Sequence, residues 1–185
     1  MTDCRDYFGR VAEQWDEIRQ GYFSERVREV AIARAKLKSD MVVADVGSGT
    51  GFMAAGLAAQ VSEVICLDNS PEMLAVARRN LAQSGNVRFQ LAEGESLPLA
   101  DNSVDAVFAN MYLHHAPDPP RAIREMVRIL RPGGILVITD MDKHDNEWQR
   151  VEMADLWLGF ERDQVRTWYE EAGLVEVHVD STGET

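Results

Sequence analysis

Short apolar runs alternate along the chain with stretches whose apolar residues recur every three or four positions, which predicts strands interleaved with amphipathic helices. The strand candidates are Met41 to Val46, Glu63 to Asp68, Val87 to Leu91, Val104 to Asn110, Ile135 to Asp140 and Leu174 to Asp180. Helix starts are marked by Ser70-Pro71 and by Asp118-Pro119-Pro120, each a capping residue followed by proline in the first turn. Ile123, Met126, Val127 and Leu130 form one apolar stripe, and Val165, Trp168, Tyr169 and Ala172 another that stops at Gly173. Ahead of the first strand, Tyr7, Phe8, Val11, Ala12, Trp15 and Ile18 also fall at helical spacing. Strands separated by helices imply a doubly wound, mostly parallel α/β sheet covered on both faces. No repeat or linker interrupts the pattern, so residues 1–185 are expected to form a single domain.

The first strand ends in chemistry. Met41-Val-Val-Ala-Asp45-Val-Gly47-Ser48-Gly49-Thr50-Gly51 carries an apolar run into an acid and then into alternating glycines. Such a turn brings backbone N–H groups and the next helix N-terminus close to a ligand, although a tight turn that needs positive φ is the structural alternative. A dinucleotide fingerprint, G-x-G-x-x-G, would require a third glycine where Phe52 stands. The G-x-G-x-G spacing, with Asp45 two residues before it, resembles motif I of the class I S-adenosylmethionine-dependent methyltransferases. That resemblance implies that Asp45, Gly47, Ser48, Gly49, Thr50 and Gly51 surround the methionine half of S-adenosylmethionine, or of the product S-adenosylhomocysteine. Asp68 ends the second strand about 20 residues after the first glycine, where a carboxylate can accept ribose hydroxyls. Asn69 and Met73 next to it join the expected cofactor set.

Later motifs narrow the resemblance. Ala92-Glu93-Gly94-Glu95-Ser-Leu-Pro-Leu-Ala-Asp101-Asn-Ser-Val-Asp105 is similar to G-D-A-E-x-L-P-F-x-D-x-S-F-D of the ubiquinone/menaquinone C-methyltransferase-like (type 11) subfamily. Glu93 stands where Asp is usual, and Gly94 where Ala is usual. The resemblance puts Glu93 and Gly94 at the adenine and leaves Glu95 as a helix-start or surface carboxylate, while still within the candidate site. Asn110-Met111-Tyr-Leu-His114-His115-Ala-Pro117-Asp118 and Arg131-Pro132-Gly133-Gly134 match the same subfamily, adding Asn110, Met111 and His115 to the expected cofactor site. The match spans residues 40–140.

The opening resembles the subfamily's Y-F-D-x-x-A-x-x-W-D, which implies that residues 1–39 form a helical lid with Tyr7 and Trp15 facing the pocket. Residues 141–185 are expected to supply a substrate roof and the last helix–strand unit, with Trp148, Trp157 and Phe160 as roof or core. The resemblance also implies the strand order 3-2-1-4-5-6. The family's antiparallel seventh strand is expected to be missing, because only Ser181 to Thr185 follow the last candidate strand. That leaves an open edge for a second copy, or a native chain that continues.

Composition limits the partners. A formal charge of −12 argues against nucleic acid and acidic membranes and leaves a small molecule as the expected substrate. No apolar run approaches membrane-spanning length and the N-terminus has no leader pattern, so a cytoplasmic protein is expected. The two cysteines, Cys4 and Cys66, form no CxxC pair; Cys66 reads as a core residue. For an alcohol or amine acceptor, His115, or else its neighbour His114, is the candidate base. Asp140, Asp142, His144 and Asp145, with Asn110, carry the groups a divalent cation needs, but their spacing matches no calcium loop and no metal is expected. Two other functions are weighed: a non-catalytic cofactor-binding module, which a resemblance of residues 142–160 to the methyltransferase half of regulators fused to an ArsR-type winged helix suggests, and a nicotinamide-dependent oxidoreductase, against which Phe52 stands in place of the third glycine.

Overall fold

The structure is a computed structural model that describes residues 4–183. Five strands, β1 (Val42–Val46), β2 (Glu63–Asp68), β3 (Val87–Leu91), β4 (Val104–Asn110) and β5 (Leu130–Thr139), form one parallel sheet in the order 3-2-1-4-5. The winding reverses between β1 and β4, and this is where an open α/β sheet leaves a crevice beyond its carboxyl ends. Val46 is level with Leu67, Asp68 with Leu91 and Asn110 with Thr139, so the strand ends, Asp68 and Asn110 among them, meet around that crevice.

Both faces are buried. Val43, Val64, Cys66, Ala106 and Phe108 point to one side, where they meet α3 (Glu25–Ala35), α4 (Phe52–Leu57) and Leu74 of α5 (Pro71–Asn80). Ala44, Ile65, Leu67, Val107 and Ala109 point to the other, against Ile123, Met126 and Ile129 of α6 (Pro119–Ile129) and Trp168 of α8 (Arg162–Glu171). This two-sided burial explains why the central strands read as continuous apolar runs. The expected caps form: Ser70 Oγ accepts from Met73 N at 3.2 Å, and Asp118 Oδ1 from Arg121 N at 3.1 Å. Before β1, the predicted amphipathic helix is divided into α1 (Cys4–Val11) and α2 (Trp15–Ile18) by a 3-10 turn, and it packs Phe8, Val11, Ala12 and Trp15 on Met73 and Val76 of α5. A short helix, α7 (Trp148–Glu152), lies between β5 and α8.

Two strand expectations change. β5 begins at Leu130, because a register irregularity lets Leu130 pair with Val104 before Ile135 pairs with Ala106. The expected sixth strand, Leu174 to Asp180, does not form. Val175 is 84% exposed and Glu176 adopts a left-handed φ of 55°, which interrupts an extended run. The backbone finds other partners: Leu174 N donates to Tyr169 O, and the Val177 carbonyl accepts from the Arg166 guanidinium. Asp180 pairs with Arg34 of α3 at 2.8 Å. Among the described residues the outer edge of β5 therefore has no neighbouring strand. No described helix is long and apolar enough to cross a membrane.

Candidate active site

The loop after β1 is fastened to β2, with Gly47 N and Ser48 N donating to Leu67 O at 2.8 and 3.1 Å. Gly47 takes a φ of 67°, and a Cβ there would also lie 2.5 Å from the Tyr112 ring. The far end of the same ring reaches Gly94, where a Cβ would overlap the Tyr112 hydroxyl. Gly94, which departs from the usual alanine, is thus the residue that admits Tyr112. Thr50 Oγ1 donates to Asp16 Oδ1 at 2.7 Å, and Asn80 donates to both Asp16 and the Thr50 carbonyl, tying the N-terminal segment to the loop.

The strand ends supply carboxylates. Asp45 is buried at 1% exposure and accepts from Ala54 N at 3.1 Å; burial pushes it up to about 8, the hydrogen bond opposing. Asp68 accepts from Gly49 N at 2.8 Å and from Ser70 N at 2.9 Å. Burial raises it above the ordinary carboxylate range despite these bonds. Glu93 accepts from Asn69 Nδ2, Glu95 from Asp118 N, and Asn110 Oδ1 from Thr139 Oγ1. Met111 turns the chain out of β4 with a left-handed φ of 52°, a strained conformation for a side chain of its kind.

These groups border one cavity of about 480 Å³, within the range of small-molecule sites. Asp45, Gly47, Ser48, Gly49 and Thr50 form one wall; Asp68, Asn69, Met73, Glu93, Gly94 and Glu95 form the next. Asn110, Met111, His115 and Trp15 complete the expected set on its lining. Three expected residues stand elsewhere. Gly51 lies behind the loop as the cap of α4, against Leu81. Tyr7 donates its hydroxyl to the Met153 sulfur at 3.3 Å, because α1 turns that face toward the segment after β5. His114 is drawn away from the cavity by acids behind it. The sequence reading missed Tyr112, Phe8, Phe23, Phe52 and Leu156 on the lining. The glycine in place of alanine at 94 was the available signal for Tyr112. Trp148, Trp157 and Phe160 are not on the lining; Phe160 is core, and Trp157 donates its indole N–H to Ala116 O.

The two histidines differ. His114 is 3% exposed and places Nδ1 2.7 Å from Asp140 Oδ1. Burial works to lower it, but Asp140, by charge and hydrogen bond, and then Asp155 hold it above its ordinary value. Its ring lies 4.0 Å from that of His115. Burial, and then the His114 charge, hold His115 well below its ordinary value. His115 Nδ1 is buried without a hydrogen-bond partner. Of the loop acids, Asp140 serves His114 and the Leu113 amide, while Asp142 pairs with Arg162.

Residues 44–138 match the family model described as a methyltransferase domain, about half of the chain and all of the strand ends that border the cavity. The chain belongs to the class I S-adenosylmethionine-dependent methyltransferases. Within this family it is similar to 2-methyl-6-phytyl-1,4-hydroquinone methyltransferase 1, chloroplastic, of Oryza sativa subsp. japonica, 32% identical over 170 residues that cover 90% of this chain and 51% of that protein. It is also similar to the demethylmenaquinone methyltransferase of Clavibacter sepedonicus, 33% identical over 71% of this chain and 58% of that one. The chain spans about half the length of the curated hydroquinone methyltransferases that it matches. A Haloferax volcanii methyltransferase solved in complex with the Trm112 methyltransferase activator superimposes with a TM-score of 0.80 at 25% identity, over 90% of this chain and 75% of that one.

Proposed function

We propose that the protein transfers a methyl group from S-adenosylmethionine to a small apolar acceptor by direct in-line displacement. One observation carries this reading: at the carboxyl ends of β1, β2 and β3 the described residues of the cavity lining include four acidic ones, Asp45, Asp68, Glu93 and Glu95, against one guanidinium, Arg5. Asp45 and Asp68, which burial holds toward the protonated form in the empty cavity, regain charge beside a sulfonium or an amino group and find no such partner in a pyrophosphate, so the wall favours S-adenosylmethionine over a nicotinamide dinucleotide. The residues fit that cofactor. Asp68 keeps a lone pair on each oxygen beyond its two backbone bonds and would take the ribose, while Asn69, Met73, Glu93 and Gly94 would border the base. Asp45 and residues 47–50 would border the methionine half.

The cofactor supplies an activated methyl group, so the chain's own work is alignment, exclusion of water and handling of the acceptor proton. The N-terminal helices, latched by Asp16, would act as the lid. Phe8, Phe23, Phe52 and Leu156 give the acceptor an apolar wall, in keeping with relatives named for hydroquinone and demethylmenaquinone methylation. His115, on the lining with Nδ1 unpartnered, would take the proton of a hydroxyl acceptor. A second copy could pair along the free edge of β5. Calorimetric titration with S-adenosylmethionine, S-adenosylhomocysteine and NAD tests the cofactor: binding of the first two without NAD is expected, and NAD binding alone would overturn the reading.

A further inference from the structure

Behind His115 lies a second void of about 30 Å³, bordered by Tyr22, His114, His115, Gln149, Met153 and Asp155 among others. His114, His115 and Asp155 each present one potential ligand atom here, all within 4.8 Å of one another. Asp155 Oδ1 stands 3.8 Å from Nε2 of both imidazoles. That is too long for a hydrogen bond, and ligands about 2.0–2.2 Å from a shared tetrahedral ion stand about 3.4 Å apart. Closing the trio around an ion therefore shortens the two 3.8 Å separations by about 0.4 Å and the widest, within 4.8 Å, by up to about 1.4 Å.

A second observation points to the same void. Gln149 is 7% exposed, and its Oε1 is buried with no hydrogen-bond partner. The oxygen of a buried amide is costly to leave unpaired, and a cation would satisfy it. The surroundings are also organised as ligand supports. Asp140 accepts from His114 Nδ1, which fixes the ring and leaves Nε2 for the void, the outer-shell arrangement found at metal-bound histidines. The His114 carbonyl accepts from Leu156 N and Trp157 N at 3.1 and 3.0 Å, which holds the Asp155 segment against the histidine turn.

We infer that His114, His115 and Asp155 form a binding site for a divalent first-row transition ion, with Gln149 Oε1 as a further donor. Two imidazoles and a carboxylate suit zinc better than calcium or magnesium, which favour all-oxygen sites. The site lies outside the cofactor walls, but His115 borders both voids.

The test uses the full chain, stripped with a chelator and dialysed against zinc, with bound metal counted by elemental analysis and cobalt substituted as a spectroscopic probe. One zinc per chain and the visible bands of tetrahedral cobalt without a thiolate charge-transfer band are expected. Asp155→Asn and His114→Ala should each weaken zinc binding at least tenfold, and Asp140→Asn by about 10–100-fold. His178→Ala, at an exposed residue away from the cluster, should leave it unchanged. Circular dichroism identifies the folded variants, and Asp155→Asn is near-isosteric should His114→Ala fail to fold. A folded wild-type chain that retains no zinc, or an Asp155→Asn variant with undiminished affinity, would overturn the assignment.

Discussion

Replacing Gly94 by alanine should force the Tyr112 ring out of its place. The new Cβ would overlap the hydroxyl and lie 2.5 Å from Cζ, and the ring cannot retreat because its other end packs on Gly47, within 2.5–2.9 Å of where a Cβ would be built. The remaining path swings the ring into the cavity, away from its packing between Gly47 and Gly94. Inserting one carbon into such a contact typically costs about 1–3 kcal/mol. Tyr112→Ala removes the obstacle at its own cost, so in the double variant the added methyl group no longer meets the ring. The two costs should then fall short of additivity by about 0.5–3 kcal/mol, as expected for residues in contact. Urea unfolding of the four proteins, compared at constant slope, measures this coupling. Costs that add to within about 0.5 kcal/mol would refute the proposed contact. Gly94→Ala should also weaken S-adenosylhomocysteine binding, since the displaced ring enters the cofactor space.

Four further outcomes are expected. Asp68→Ala should weaken S-adenosylhomocysteine binding roughly tenfold to a hundredfold by calorimetry, the loss of a charged hydrogen-bond partner worth about 1.5–3 kcal/mol; unchanged affinity would remove Asp68 from the site. His115→Ala should slow turnover of a hydroxyl acceptor about a hundredfold while cofactor affinity stays constant, and full turnover would leave positioning as the whole mechanism. Asp16→Ala cuts the ties to Thr50 and Asn80, so amide exchange in residues 4–21 should accelerate relative to the sheet; equal protection would mean that apolar packing alone holds the segment. Asp45 binds its proton more tightly in the folded protein, with its value pushed up from 3.8 to about 8. Its contribution is complete below about pH 4 and is lost as pH rises to about 8. Unliganded wild-type protein should therefore lose stability across that window more steeply than Asp45→Asn, and parallel melting profiles would rule this out.

The parts of the fold that were legible in the sequence are those encoded by near neighbours. β2, β3 and β4 match their expected limits because a doubly covered strand must be apolar along its whole length, and Ser70 and Asp118 announce helices because a cap acts within three residues. The walls at Gly47 to Thr50 and at Asp68 were legible for the same reason, since a glycine turn and a strand-end acid are local devices. Leu174 to Asp180 failed because alternation records only that one side of a segment is covered. Val177 and Val179 are half-buried and satisfy the pattern, while the backbone bonds that would make them a strand go to Arg166 and Tyr169 instead. Tyr112 and Asp155 were illegible because each takes its meaning from distant partners. A tyrosine after a strand says nothing until Gly47 and Gly94 stand on either side of it. Asp155 lies in a stretch without helical or strand periodicity and becomes chemically significant only where the chain returns to His114 and His115. Tyr7 shows the converse: it shares the helical stripe of Phe8 and Trp15, but a stripe of that width spans more than one neighbour. Its hydroxyl meets Met153, while Phe8 and Trp15 reach the cavity.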